Sequence, residues 1–196
     1  EGAKQPPIGY SPETMYLMPN GYQNQPCVLK YSTRNEVYKE GKIYEWFKGK
    51  MPVPDVYLNT KEEDTYYLAV RMMEGEMLSE TFKRWSKEET IRFYATLLKT
   101  IHSLDSAGFP FNHDLAYRLN KINVSEAKTQ YFERELKGKD PQEMYDFLQR
   151  NKHFEKDLVV CHGDVCFPNF MMKDDKLQAL IDVSGAGISD RYLDIS

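Results

Sequence analysis

Leu158-Val159-Val160-Cys161-His162-Gly163-Asp164 runs on to Asn169 and then, through a second apolar stretch, to Leu180-Ile181-Asp182. An apolar strand ends in a His-Gly-Asp turn, an asparagine follows five residues after the aspartate, and a further apolar strand delivers a second aspartate. Phosphoryl transfer asks for this set: one carboxylate takes the proton of an attacking hydroxyl, while an amide and a second carboxylate hold Mg²⁺ against nucleotide phosphates. Asp164 is the candidate base, and Asn169 and Asp182 are the candidate metal ligands. Mg²⁺ is hard and keeps several waters, so two protein oxygens suffice, and Cys161, His162 and Cys166 are the wrong donors for it. A zinc site from His153, Cys161, His162 and Cys166 is the competing reading, but Cys161 and His162 are adjacent on a strand and would face opposite ways.

The rest of the composition narrows the class. With 196 residues and 41% hydrophobic content the chain can build one ordinary domain or two small lobes. No apolar run approaches membrane-spanning length and no charged-then-apolar leader opens the chain, so the expectation is a protein of the cytoplasm with no membrane partner. Three cysteines at unpatterned positions make no disulfide framework. A net charge of −4 argues against nucleic acid and fits a cationic small molecule. The start at Glu1 and the end just after Asp190-Arg191-Tyr192-Leu193-Asp194-Ile195 suggest further structure at both ends.

Upstream, Thr14 to Met18, an Asn20-Gly21 turn signal and Pro26 to Lys30 read as a hairpin. Gly9 and Ser11 stand where a loop could fold over phosphates, or where a plain surface turn would do. Lys30 ends an apolar strand, and Thr33-Arg34-Asn35-Glu36 is a capping-box pattern opening a helix with a Val37, Ile43, Tyr44, Phe47 stripe and Gly49 as its stop. One turn in, Glu40 stands where it could pair with the strand lysine; Glu36 is the second choice, because capping engages it. Two more strands follow, over 56–58 and 65–70. Arg71 to Gly75 then reads either as a linker whose backbone at Arg71 and Met73 meets adenine, or as an ordinary loop.

Further on, Ser86-Lys87-Glu88-Glu89 is a second capping box, with Ile91, Tyr94, Leu98 and Ile101 on one face and His102 as a hydrogen-bonded core histidine. Asp140-Pro141 caps another helix, packed down by Met144, Phe147 and Leu148. Glu133, Glu135 and Asp140 read as solvated charges or as a lip for a polycationic substrate.

These residues resemble the aminoglycoside phosphotransferases, most closely the 3′-phosphotransferases. The likeness covers nearly the whole chain: Gly9 to Pro12, Val28-Leu29-Lys30, Glu40, Trp46 with Gly49 to Pro54, Ile101 to Asp105, Asp140-Pro141 with Tyr145 to Leu148, Cys161 to Met171, Leu180 to Asp182, and Asp190 to Ile195. The resemblance implies an α+β, two-lobed protein-kinase-like fold, with a small antiparallel sheet and one helix over 1–72 and a mainly helical catalytic lobe over 73–196. It implies transfer of the γ-phosphoryl of ATP, with GTP possible, to an aminoglycoside hydroxyl. Asp164 would be the base, Asn169 and Asp182 the Mg²⁺ ligands, Lys30 the α/β-phosphate contact held by Glu40, and Ser11 a loop hydroxyl. His162 would be structural; Asp190, Glu133 and Glu135 are candidates to meet the substrate, in a monomer or a dimer. The chain departs from the pattern with Val28 in place of an aromatic found in some relatives, with Ser184-Gly185 where Gly-Arg is usual, and in lacking the family's last helices after Ser196. Rival readings are a kinase of the same fold for choline, a sugar amine or a macrolide, and a non-catalytic nucleotide-binding module.

Overall fold

The computed structural model describes residues 13–132 and 134–195, with the backbone alone at Tyr131 and Glu135. Strand β1 (Thr14–Met18) pairs antiparallel with β2 (Cys27–Ser32), matching Thr14 to Tyr31 and Met18 to Cys27. The hairpin forms as expected, but without a tight Asn20-Gly21 turn. Residues 19–26 make a wider connection in which Gln23 and Asn24 take positive φ while Gly21 stays at −85°. The glycine instead allows a close approach, since a Cβ on it would stand 2.2 Å from the Cys27 sulfur.

Helix α1 (Glu36–Phe47) buries Val37, Glu40, Ile43, Tyr44 and Phe47, and the chain leaves it through Gly49 at φ 79°. The Thr33 capping box does not form. The Ser32 hydroxyl accepts the Arg34 N–H at 3.1 Å and turns the chain early, so the helix starts after an uncapped Asn35 and Glu36 lies 3.5 Å from the Arg34 guanidinium instead. Strands β3 (Val56–Glu62) and β4 (Thr65–Arg71) complete an antiparallel sheet of order β1-β2-β4-β3. Lys30 lies opposite Leu68 and Val28 opposite Val70, so the lysine stem shares the face that carries the two buried apolar side chains.

Beyond Arg71 come β5 (Glu76–Met77), α2 (Leu78–Thr81), α3 (Lys87–His102), α4 (Leu115–Leu119), α5 (Pro141–Asn151), β6 (Leu158–Cys161), β7 (Phe170–Lys173), β8 (Lys176–Leu180), β9 (Gly187–Asp190) and α6 (Tyr192–Ile195). This half is mainly helical, as expected, and holds two small antiparallel sheets, β5-β7-β8 and β6-β9, that carry the stretch from Cys161 to Leu180. The Ser86–Glu89 capping box forms in both directions. The buried face of α3 is set by Thr90, Leu97 and Ile101, with Tyr94 edge-on to Phe170, which leaves Ile91 57% exposed rather than in the core. Asp140 caps α5 by accepting from Gln142 and Glu143, yet α5 buries none of its residues and Phe147 is exposed, because among the described residues it packs chiefly against short elements, α4 and the turns at Val124–Glu126 and Lys152–Phe154.

One apolar cluster joins the two halves, from Ile43, Phe47 and Leu68 through Ile101 to Val160, Phe170 and Leu180. Each such side chain, taken fully out of water, contributes about 1.5–3 kcal/mol before entropy is counted. At the seam, Trp46 meets Phe109 edge-on and donates to the Ala107 carbonyl at 3.3 Å, and Leu180 N–H donates to Pro52 at 2.9 Å. Helix α1 is thereby fastened to the second half. Among the described residues no helix is long and apolar enough to cross a membrane.

Candidate active site

Strand β6 buries Val160 and Cys161 and releases the chain at His162-Gly163-Asp164. Gly163 takes φ 81°, and a Cβ there would lie 2.1 Å from the Gly185 carbonyl oxygen, so only glycine lets this turn press against the loop that follows Asp182. The turn is held from behind by Asp194 on α6. Its Oδ1 accepts the Gly163 N–H at 2.8 Å, its Oδ2 accepts the His162 N–H at 2.9 Å, and the same oxygen faces His102 Nε2 at 3.0 Å. Asp194 is 4% exposed, so three charge-assisted contacts replace the water it loses. His102 is the hydrogen-bonded core histidine expected. Its partner went unnamed in the sequence, where Asp190 drew attention instead of Asp194.

His162 is buried, and burial lowers its pKa against the opposing pull of Asp194, Asp164 and Asp182, which keeps the ring neutral. Its Nδ1 accepts the Asp164 N–H at 3.3 Å, which places the proton on Nε2; that atom is buried without a hydrogen bond, and the Ile181 carbonyl favours the proton only from poorer geometry. The histidine therefore shapes the loop, as the resemblance implies.

Asp164 itself is exposed. Buried Asn169 donates from Nδ2 to the Asp164 carbonyl at 3.0 Å and to its Oδ2 at 2.8 Å, which fixes the carboxylate. The Asn169 carbonyl oxygen of the main chain accepts the Ile181 N–H at 2.9 Å, so the asparagine and the residue before Asp182 are tied together. Tyr94 donates to the Val165 carbonyl at 3.0 Å and steadies the loop's outer side.

Lys30 reaches across from β2. Its ammonium donates to both Glu40 oxygens at 2.8 and 2.9 Å and lies 3.5 Å from Asp182 Oδ1. Burial works against the charged lysine, but Glu40 and then Asp182 outweigh it and raise its pKa above the ordinary value. The lysine stays an ammonium. Asp182 adopts the left-handed conformation, φ 54° and ψ 50°, rare for a residue with a side chain. A cavity of about 260 Å³ opens here, lined by Glu13, Arg34, Glu36, Asp164, Asp182, Ser184 and Gly185. Four carboxylates face one guanidinium.

The other expected residues fall as follows. Arg71 gives its N–H to the Asp55 carbonyl at 2.8 Å, so that N–H is not left for a base; Met73 makes no backbone hydrogen bond among the described residues. Asp190 is absent from the cavity wall, and its carboxylate accepts N–H groups from Lys156, Asp157 and Tyr192. Ser11 and Glu133 lie outside the described residues, as does the side chain of Glu135. The zinc quartet is not assembled: His153 is exposed and bonded to the Arg150 carbonyl, and Cys161 is buried, its thiol pushed up to about 12 by burial. The nearest approach to a metal cluster among the described residues is His102, Cys161 and Asp194, whose polar atoms are already spent on one another's neighbours.

The family model described as the phosphotransferase enzyme family matches residues 2–196. The chain belongs to this family. Among its relatives are the aminoglycoside 3′-phosphotransferases of Enterococcus faecalis, 29% identical over 96% of this chain and 75% of the relative, and of Staphylococcus aureus, 29% identical over 95% and 74%. Among solved structures, an aminoglycoside 3′-phosphotransferase of type VIII superposes with a TM-score of 0.79 at 23% identity, over 100% of this chain and 76% of that one. A Streptomyces rimosus aminoglycoside phosphotransferase, solved with ADP and streptomycin, gives 0.71 at 19% identity over 99% and 74%. These likenesses show the fold, the two-lobed arrangement of aminoglycoside kinases. Within it the Lys30 ammonium, paired with Glu40, lies 3.5 Å from Asp182, and Asp182 and Asp164 line one cavity.

Proposed function

We propose that this phosphotransferase moves the γ-phosphoryl group of ATP to a hydroxyl of an aminoglycoside, the 3′-hydroxyl of a kanamycin- or neomycin-type substrate. The observation that carries the reading is that Asp164 and Asp182 line one acidic cavity while Lys30, paired with Glu40, lies 3.5 Å from Asp182. An acidic wall attracts a polycation more strongly than a monocation or a neutral alcohol and repels an anionic one. The relatives named for this reaction supply the substrate class.

The residues present fit Mg²⁺. Asp182 offers carboxylate oxygens, and Asn169, its Nδ2 spent on Asp164, keeps an Oδ1 that accepts no hydrogen bond among the described residues. Oxygen donors suit a hard cation. When bound, Mg²⁺ would neutralise phosphate charge. Lys30 would contact the α- and β-phosphates, with Glu40 holding its direction. The acceptor hydroxyl would lie against the Asp164 carboxylate. As its oxygen bonds to phosphorus and the bond to the β-phosphate bridging oxygen breaks, its proton passes to Asp164 and then to solvent. Positioning and charge do most of the work.

A transfer assay over kanamycin, neomycin, choline and erythromycin tests this. ADP release should depend on kanamycin and neomycin. Turnover with choline or erythromycin alone would overturn the substrate class.

A further inference from the structure

Tyr44 stands one helical turn after Glu40 on α1, only 2% exposed, and its hydroxyl is used twice. It donates to Glu40 Oε1 at 2.7 Å and accepts the Asp182 main-chain N–H at 3.1 Å. We propose that Tyr44 is a positioning residue for phosphoryl transfer, one phenol that locks the lysine-holding glutamate and the metal-binding aspartate into a single register. The inference rests on the phosphotransfer reading above and assigns to it a residue that touches neither nucleotide nor acceptor.

Each side of the hydroxyl has a specific task. Glu40 sits in the core, where a carboxylate needs every donor it can find, and Lys30 together with Tyr44 supplies them. Asp182 holds a left-handed backbone, uncommon for a residue with a Cβ, so something must retain it. The Tyr44 oxygen does so by taking its N–H. The helix that carries Tyr44 is fastened by Trp46 to Phe109 and Ala107, so the phenol is a fixed post rather than a moving latch. The loop after Asp182 packs directly on α1. Removing one oxygen atom therefore frees the Asp182 backbone while leaving the Lys30–Glu40 pair and the apolar contacts of the ring in place.

Tyr44→Phe in the full-length chain tests this with two readouts. In metal-free protein, amide exchange at Asp182 should speed up about ten-fold or more, while amides along α1 keep their protection. Titration of ATP with Mg²⁺ and with EDTA should show the Mg²⁺-dependent gain in affinity falling about ten-fold, with metal-free ATP binding unchanged. Tyr44→Met, which also lacks the hydroxyl, should behave alike and serves if the phenylalanine variant does not fold. In an Asp182→Ala background, Tyr44→Phe should add nothing to the loss of Mg²⁺ dependence. Unchanged Asp182 exchange, or equal losses with and without Mg²⁺, would overturn the positioning role. A wild-type chain whose ATP affinity ignores Mg²⁺ would instead overturn the phosphotransfer reading, and this inference with it.

Discussion

Replacing Asp194 with alanine strips three groups of one acceptor: the N–H groups of His162 and Gly163 and the ring of His102, at 2.9, 2.8 and 3.0 Å. All three lie at the base of the catalytic loop. An N–H left buried without a partner costs about 1–3 kcal/mol, and two of them together agree with the roughly 3–5 kcal/mol lost when a buried charged contact is broken from one side. A loss of about 3–5 kcal/mol is a large share of a domain's usual stability. Because Asp164 follows Gly163 directly, the loop should also shift, and a displacement near 1 Å costs about 100-fold in turnover. Urea unfolding reads the first effect as a lower midpoint at constant slope, and steady-state kinetics reads the second. Asp194→Asn, which keeps one oxygen, should lose less of both. If Asp194→Ala changes stability by less than about 1 kcal/mol, or destabilises the fold while turnover per folded molecule stays at the wild-type value, the role given to this contact is wrong.

Two further outcomes follow from the same loops. Gly163→Ala places a Cβ 2.1 Å from the Gly185 carbonyl at φ 81°, so thermal unfolding should show a loss beyond the roughly 1–2 kcal/mol of left-handed strain alone, and a neutral substitution would contradict the contact. Burial opposes ionisation of Asp190, but the N–H groups of Tyr192, Asp157 and Lys156 outweigh it and hold its pKa below the usual carboxylate value. Its charge thus contributes stability above the unfolded pKa of about 3.9 that is lost as pH falls through the lower folded value; the melting-temperature gap between wild type and Asp190→Asn should be present at pH 7 and shrink below about pH 4, and a gap that grows toward acid would refute it.

The parts of the site that could be read from the sequence are those whose chemistry is packed into short spacings. Asp164 to Asn169 and the strand leading to Asp182 point to their proposed roles through residue type and interval, and Lys30 with Glu40 points to its pairing through a strand end and one helical turn. Asp194 was not legible, because its partners stand far away along the chain; Tyr44 was legible only as part of the buried stripe of α1, because its second partner, the Asp182 N–H, is distant in sequence. His102 held the clue to Asp194: a buried histidine needs a partner, and an acid in an apolar C-terminal segment is the natural one. The α1 capping box failed because Ser32 competes for the same turn, and the apolar face expected to pack α5 is on the surface because burial depends on neighbours that a helical period cannot supply.

The account stands most directly on whether Asp164 takes the proton of an antibiotic hydroxyl. Phosphorus NMR of a reaction containing ATP, Mg²⁺ and kanamycin should show one new phosphomonoester, formed in step with ADP and coupled to the proton on the 3′-carbon, and its rate should fall about 100- to 10,000-fold in Asp164→Asn with ATP binding intact. Free phosphate as the sole product, or an ester formed at an undiminished rate by Asp164→Asn, would contradict it.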